Sequence, residues 1–184
     1  ICGAVVTAEF LTNFYIQSDD RSMGIRVDAV SSAWPAVAVG KRVNVFGKMR
    51  IAASGERYIE PTNVTAASTG MVAPIAMTCS AVGGTNWRYD PDAGHKGQLG
   101  VTGGYGVNNI GLLVKVSGKY TRINSAKFTI EDGSGVITCT VPSGAPSVTG
   151  TRYATVTGVA ACAKEGDVYT RLIRARSSAD IRLH

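Results

Sequence analysis

A chain of 184 residues with 45% apolar content is long enough for one large domain or two small ones, with ample material for packed cores. It contains no run of about 18 apolar residues, which excludes a membrane-spanning helix. Its net charge of +6 is uneven: residues 1–68 carry seven Lys or Arg against six Asp or Glu, and residues 112–184 carry ten against five. That excess reads as a solvated face before it reads as a phosphate-binding one. Because the chain opens at Ile1 without Met, a basic n-region or an apolar h-region, the expectation is a processed chain from which any export signal has gone.

In chain order, Gly3–Phe10 reads as an apolar strand interrupted at Thr7 and Glu9. After a tight Leu-Thr-Asn connection, Phe14 to Val27 alternates apolar and polar residues, turns over a small acidic stretch and alternates again, which is a β-hairpin with one buried face. Residues 28–38 form an irregular connection in which Trp34 caps the open end of a core. A strand follows from Gly40, with Gly47 placed for a bulge or sharp bend, and Gly55–Pro61 supplies a turn and a last strand. No segment has a helical period.

The second half repeats this grammar. Leu112–Ile123 is its first strand, interrupted at Gly118, and Phe128 to Val141 is its hairpin. Aligned without a gap, Phe14 falls on Phe128, Ile16 on Ile130, Ile25 on Cys139 and Val27 on Val141. Gly150–Gly158 matches Gly40–Gly47 with one extra residue, and Gly166–Thr170 matches Gly55–Ile59, placing Tyr58 on Tyr169. An internal repeat of this kind favours two domains.

The succession of strand, hairpin, irregular connector, Gly-x-Arg strand and Gly-acid-x-Tyr strand resembles the OB-fold. Phe-Tyr-Ile-Gln-Ser-Asp-Asp, Phe-Thr-Ile-Glu-Asp-Gly-Ser-Gly and Val-Gly-Lys-Arg-Val-Asn-Val are its best markers. The resemblance implies an all-β chain of two tandem five-stranded Greek-key barrels, at 1–68 and 112–184, each closed so that no strand edge is left unpaired. Between them, 69–111 reads as an ordered Gly-rich strap packed over or between the barrels, since Trp87, Tyr89 and Tyr105 are out of place in a solvated tether. Those three aromatics are expected as buried contacts, within the subunit or against a neighbour. The stretch Gly103–Val114 also resembles segments joining such barrels in secreted bacterial surface proteins.

Chemistry is sparse. The only histidines are His95, in a Gly-rich stretch, and His184 at the terminus, so neither a Ser-His-Asp nor a Cys-His arrangement is expected. The acidic pairs Asp19/Asp20, Glu131/Asp132 and Glu165/Asp167 fall at turns, where such side chains bond their own backbone. No catalytic residue is assigned and the chain reads as a non-enzyme. Asp90 and Asp92, two residues apart before Gly94, begin a Ca²⁺ loop that lacks its closing Glu; an Asp-Pro turn is the competing reading. Four cysteines lack the spacing of a zinc site. As an even count at the edges of two repeats they suit two disulfides, Cys2–Cys79 and Cys139–Cys162, and hence an oxidising compartment; four free buried thiols are the alternative. A Cys139–Cys162 bridge would contribute about 3 kcal/mol.

An OB ligand face needs exposed aromatics in a basic groove. The first barrel offers Tyr15 and Arg26 at outward positions, with Tyr58, Arg50 and Arg57 nearby; the second has Thr129, Glu131, Thr138 and Thr140 there, a poor platform. Arg171, Arg174, Arg176 and Arg182 read as an outward basic strand face. Two functions follow. The first is an extracellular structural subunit, resembling those of tandem-OB bacterial filaments, that self-assembles head to tail into a filament or surface layer. The second is a secreted module binding oligosaccharide, or less readily single-stranded nucleic acid, on a barrel face.

Overall fold

The computed structural model describes residues 1–29, 33–34, 37–90, 95–145 and 151–184, and its regular structure is almost all strand. The first five strands are β1 (Ala4–Glu9), β2 (Phe14–Gln17), β3 (Gly24–Val27), β4 (Lys41–Ile51) and β5 (Arg57–Thr69). They close into a barrel in the order β1-β2-β3-β5-β4, antiparallel throughout except where β5 runs parallel to β3. The period-2 pattern explains the closure: Val6, Phe14, Ile16, Val27, Val43, Val45 and Ile59 all turn inward to one core, and Trp34 packs against it.

Four strands, β6 (Ile75–Ala76), β7 (Trp87–Asp90), β8 (His95–Gln98) and β9 (Leu113–Arg122), follow. Among the described residues β7 and β8 pair only with each other, and β6 lies parallel to the start of β9. The last five are β10 (Lys127–Glu131), β11 (Val136–Thr140), β12 (Arg152–Glu165), β13 (Val168–Ala175) and β14 (Ile181–Leu183). Here β9 pairs with β10, β10 with β11, β11 in parallel with β13, β13 with β12, and β12 back onto β9. This repeats the succession of pairings of the first barrel. The enclosed core contains Val116, Tyr120, Phe128, Ile130, Ile137, Cys139 and Ile173, with Tyr120 stacked on Phe128 at 4.8 Å. Among the described residues, no helix is long and apolar enough to cross a membrane.

Register shows how the two halves correspond. Phe14 faces Val27, and Phe128 faces Cys139. The equivalent of Val27 is therefore Cys139, and the gapless alignment onto Val141 is corrected by two residues, the difference in length between the two hairpin turns. A slip of two preserves the face on which every side chain points, so the alternation alone could not expose it. Likewise Val27 pairs with Ile59 and Cys139 with Ile173, so Tyr58 corresponds to Leu172 and not to Tyr169. Gly47 and Gly158 are true equivalents: a Cβ at either would lie 2.7 Å from the Cγ2 of Ile59 or Ile173, respectively. At Gly47 the β4–β5 register also shifts, as a bulge requires.

The two halves pack side against side. Ala8 and Tyr15 of the first meet Leu113 and Val159 of the second in a separate apolar cluster. The Leu113 N–H donates to Gln17 Oε1 (2.8 Å), and Arg176 Nη1 donates to the Thr7 carbonyl (2.9 Å). At one point backbone meets backbone: Gly111, at φ 91°, lies against Gly24, and a Cβ on either glycine would collide with the other's main chain.

Candidate functional site

The seam between the halves holds the chain's most unusual polar group. Glu56, in the β4–β5 turn, is 3% exposed. Its Oε1 accepts a 2.6 Å hydrogen bond from the Tyr15 hydroxyl, and its Oε2 stands 3.6 Å from Arg26 Nη1. Arg174, reaching across from β13, donates to Tyr15 Oη (3.3 Å) and to Asn13 Oδ1 (2.8 Å), with its guanidinium 3.8 Å above the Phe10 ring. Arg26 also pairs with Asp28 at 2.8 Å. Burial pushes the Glu56 carboxyl above its ordinary value, against the opposing pull of Tyr15 and Arg26. Burial and the facing Glu56 together push the Tyr15 phenol well above its own. This is a positioning network: it orients the seam, and most of its polar atoms are spent on one another, with the buried Arg26 Nε left without a partner.

Next to it lies a cavity of about 160 Å³, bounded by the β2–β3 turn (Met23), β4 (Met49), Glu56, and the connection from β5 to β9, which supplies Trp87, Gln98 and Ile110. Gln98 holds that connection in place. Its Oε1 accepts the Arg57 N–H (2.8 Å), and its Nε2 donates to the carbonyls of Gly55 (3.2 Å) and Leu99 (3.1 Å). No single motif marked this cavity in the sequence. Its walls come from separated stretches of the chain, and of its charged and aromatic residues Arg26, Arg57 and Trp87 had stood out beforehand.

Several expectations require correction. Tyr15 points outward from its own barrel, but the second half covers it completely, so it offers no ligand face. Arg26 lies 5.6 Å over the ring of Tyr58, as a shared face would have it, yet its charge is taken by Asp28 and Glu56. Of the basic strand face, Arg182 is exposed as expected but the other three arginines are engaged. Arg171 donates to the carbonyls of Cys79 and Ser80, Arg174 is held in the seam, and Arg176 clamps Thr7 and forms a 2.7 Å ion pair with Asp180. Within the subunit Trp87 and Tyr105 remain 42% and 57% exposed, so they are not interior contacts. Asp92 and the side chains of Tyr89 and Asp90 lie outside the described residues, as does the side chain of His95. His184 is hydrogen-bonded to Thr155 through Nε2 at 2.9 Å.

The two expected disulfides are absent, and all four cysteines are free thiols. Cys79 and Cys139 are sealed in the second core, Cys162 sits in a different cluster with Val101 and Ile110, and Cys2 is exposed. The proposed partners thus belong to separate surroundings. Burial first, then Asp132, pushes the Cys79 thiol up to about 12; burial, then Glu56, does the same to Cys162. Two of the three acidic turns behave as turn chemistry predicts, with Asp20 accepting from Ser22 N–H (3.0 Å) and Asp132 from Ser134 N–H (2.9 Å), whereas Glu165 and Asp167 face Lys127 and Lys164 at 3.7 Å. Among the described residues, no group of three His, Cys, Asp or Glu is placed to hold a metal ion. Comparison with protein-family models, curated proteins and solved structures finds no match to this chain.

Proposed function

We propose that the protein is a non-enzymatic extracellular structural subunit of two tandem OB-fold barrels, 1–68 and 112–184, bridged by the strap 69–111, and that it self-associates head to tail. One observation carries this reading: the outward side of β2, where an OB-fold would present stacking aromatics, is consumed by packing on the second half, leaving Tyr15 fully buried. Burying that face costs a ligand platform and gives a stiff two-barrel unit, which suits a building block. Two similar but non-identical barrels present unlike ends, and unlike surfaces in contact propagate as open chains. Exposed apolar side chains, Trp87, Tyr105 and Val107 on the strap with Met49 and Ile51 on β4, supply contact area for such a joint. The net charges of the two segments, seven against six and ten against five, add a weak, salt-sensitive bias.

The oligosaccharide reading has less support, because Tyr15 is covered and Arg26 is paired. The test is light scattering with negative-stain microscopy across a range of salt, with and without Ca²⁺. Polymers under some condition support assembly. A strictly monomeric protein throughout, with micromolar affinity for an oligosaccharide, refutes it.

A further inference from the structure

The cavity beside Glu56 shares Trp87 and Met49 with the proposed joint but has a chemistry of its own. Its apolar walls are Met23, Met49, Trp87, Ile110 and Leu112, with the Glu56 carboxylate at one side. At about 160 Å³ it compares with the roughly 150 Å³ apolar cavity that holds benzene, so it has room for one six-membered ring. Most of the polar side-chain atoms around it are already committed, although the buried Nε of Arg26 has no hydrogen-bond partner. Glu56 is bonded to Tyr15 and paired with Arg26; Gln98 uses both ends on the backbone of Gly55, Arg57 and Leu99. Asn108 donates to the Thr85 carbonyl (2.7 Å) and accepts from the Ile110 N–H (3.1 Å). A sugar entering here would bury hydroxyls with few partners, which is costly. A charged ligand fares no better, since an anion would meet the Glu56 carboxylate and a cation the Arg26 and Arg57 guanidiniums on the same lining.

We infer that this cavity is a binding site for a small neutral molecule with a single aromatic or alicyclic ring, held by the Met23, Met49 and Trp87 walls, with one hydrogen-bond donor directed to the remaining acceptor capacity of Glu56. A carboxylate has about four lone-pair sites, and Tyr15 occupies one on Oε1, leaving room for such a donor. The two methionines suit this role because a flexible thioether adapts to a ring edge.

The probe is benzyl alcohol, with methyl glucoside as the competing chemistry, titrated into the intact chain and followed by amide shifts in two-dimensional NMR. Saturable shifts with benzyl alcohol in about the millimolar range, centred on Met23, Gly24, Met49 and Gly97, are expected. The glucoside is expected to produce none. Met49→Trp, which fills the space from a half-exposed position, should weaken the benzyl alcohol response at least tenfold. Saturation by the glucoside instead, shifts centred elsewhere, or no saturable shift in the unmodified protein overturns the inference. The unmodified protein alone decides the matter if the variant does not fold.

Discussion

Replacing Tyr15 with Phe removes one oxygen and leaves the ring, so its edge-on contact with Phe10 at 6.0 Å and its place in the seam persist. What is lost is the 2.6 Å bond to Glu56 and the 3.3 Å bond from Arg174. A hydrogen bond to a charged group contributes about 1.5–3 kcal/mol, and here the acceptor is left buried with only a 3.6 Å ion pair to Arg26 on its other oxygen. A loss of about 2 kcal/mol should lower the melting temperature of a chain this size by about 4–8 °C. The loss should depend on pH. Glu56 has a raised carboxyl value in the folded state, so the stability it contributes is fully present below the unfolded-state value and is lost as pH rises through the folded one. The Tyr15 hydroxyl opposes that shift, hence it is worth most where Glu56 is ionised. Urea unfolding followed by circular dichroism should show a larger penalty for Tyr15→Phe at pH 8 than at pH 4. A penalty below about 0.5 kcal/mol at pH 8, or one equal at both pH values, would show that the buried network does not stabilise the seam as argued.

Three further outcomes follow. Gly111→Ala places a Cβ on the Gly24 backbone from a left-handed conformation and should cost about 2 kcal/mol or more, whereas Gly133→Ala, equally left-handed but in open space, should cost about 1 kcal/mol; thermal melts of the pair separate steric contact from backbone preference. Gly158→Ala should destabilise about as much as Gly47→Ala, because each collides with the equivalent isoleucine; a difference beyond about 1.5 kcal/mol would undo the equivalence of the two positions. Iodoacetamide mass spectrometry at neutral pH should label Cys2 alone in the folded protein and all four cysteines after unfolding without reductant, since burial raises the other three thiols; any disulfide-linked peptide refutes the free-thiol state.

The sequence by itself determined the strand character of the two halves and the inward face of their hairpins. Phe14, Ile16, Phe128 and Ile130 announce themselves by alternation, because a side-chain period of two is a local property that burial on one face makes visible. Gly47 was legible as a bulge or bend and Gly158 as its match, while the close approach of each to an isoleucine came from the fold. The acidic turns were legible too, as Asp20 and Asp132 bond their own neighbours. Tertiary structure alone decided what lies against the outward faces. Tyr15 and Arg174 read as exposed because a strand pattern says which side a residue takes and nothing about a second half packed there. Hairpin register was hidden by the two-residue slip, which leaves the alternation intact. Cysteine count suggested pairs, but only the fold placed Cys139 and Cys162 in different clusters. The cavity was invisible for the same reason: Met23, Met49, Trp87 and Ile110 come from four stretches of chain whose meeting depends on how the connection folds back over the first barrel, a long-range packing outcome that no local pattern encodes.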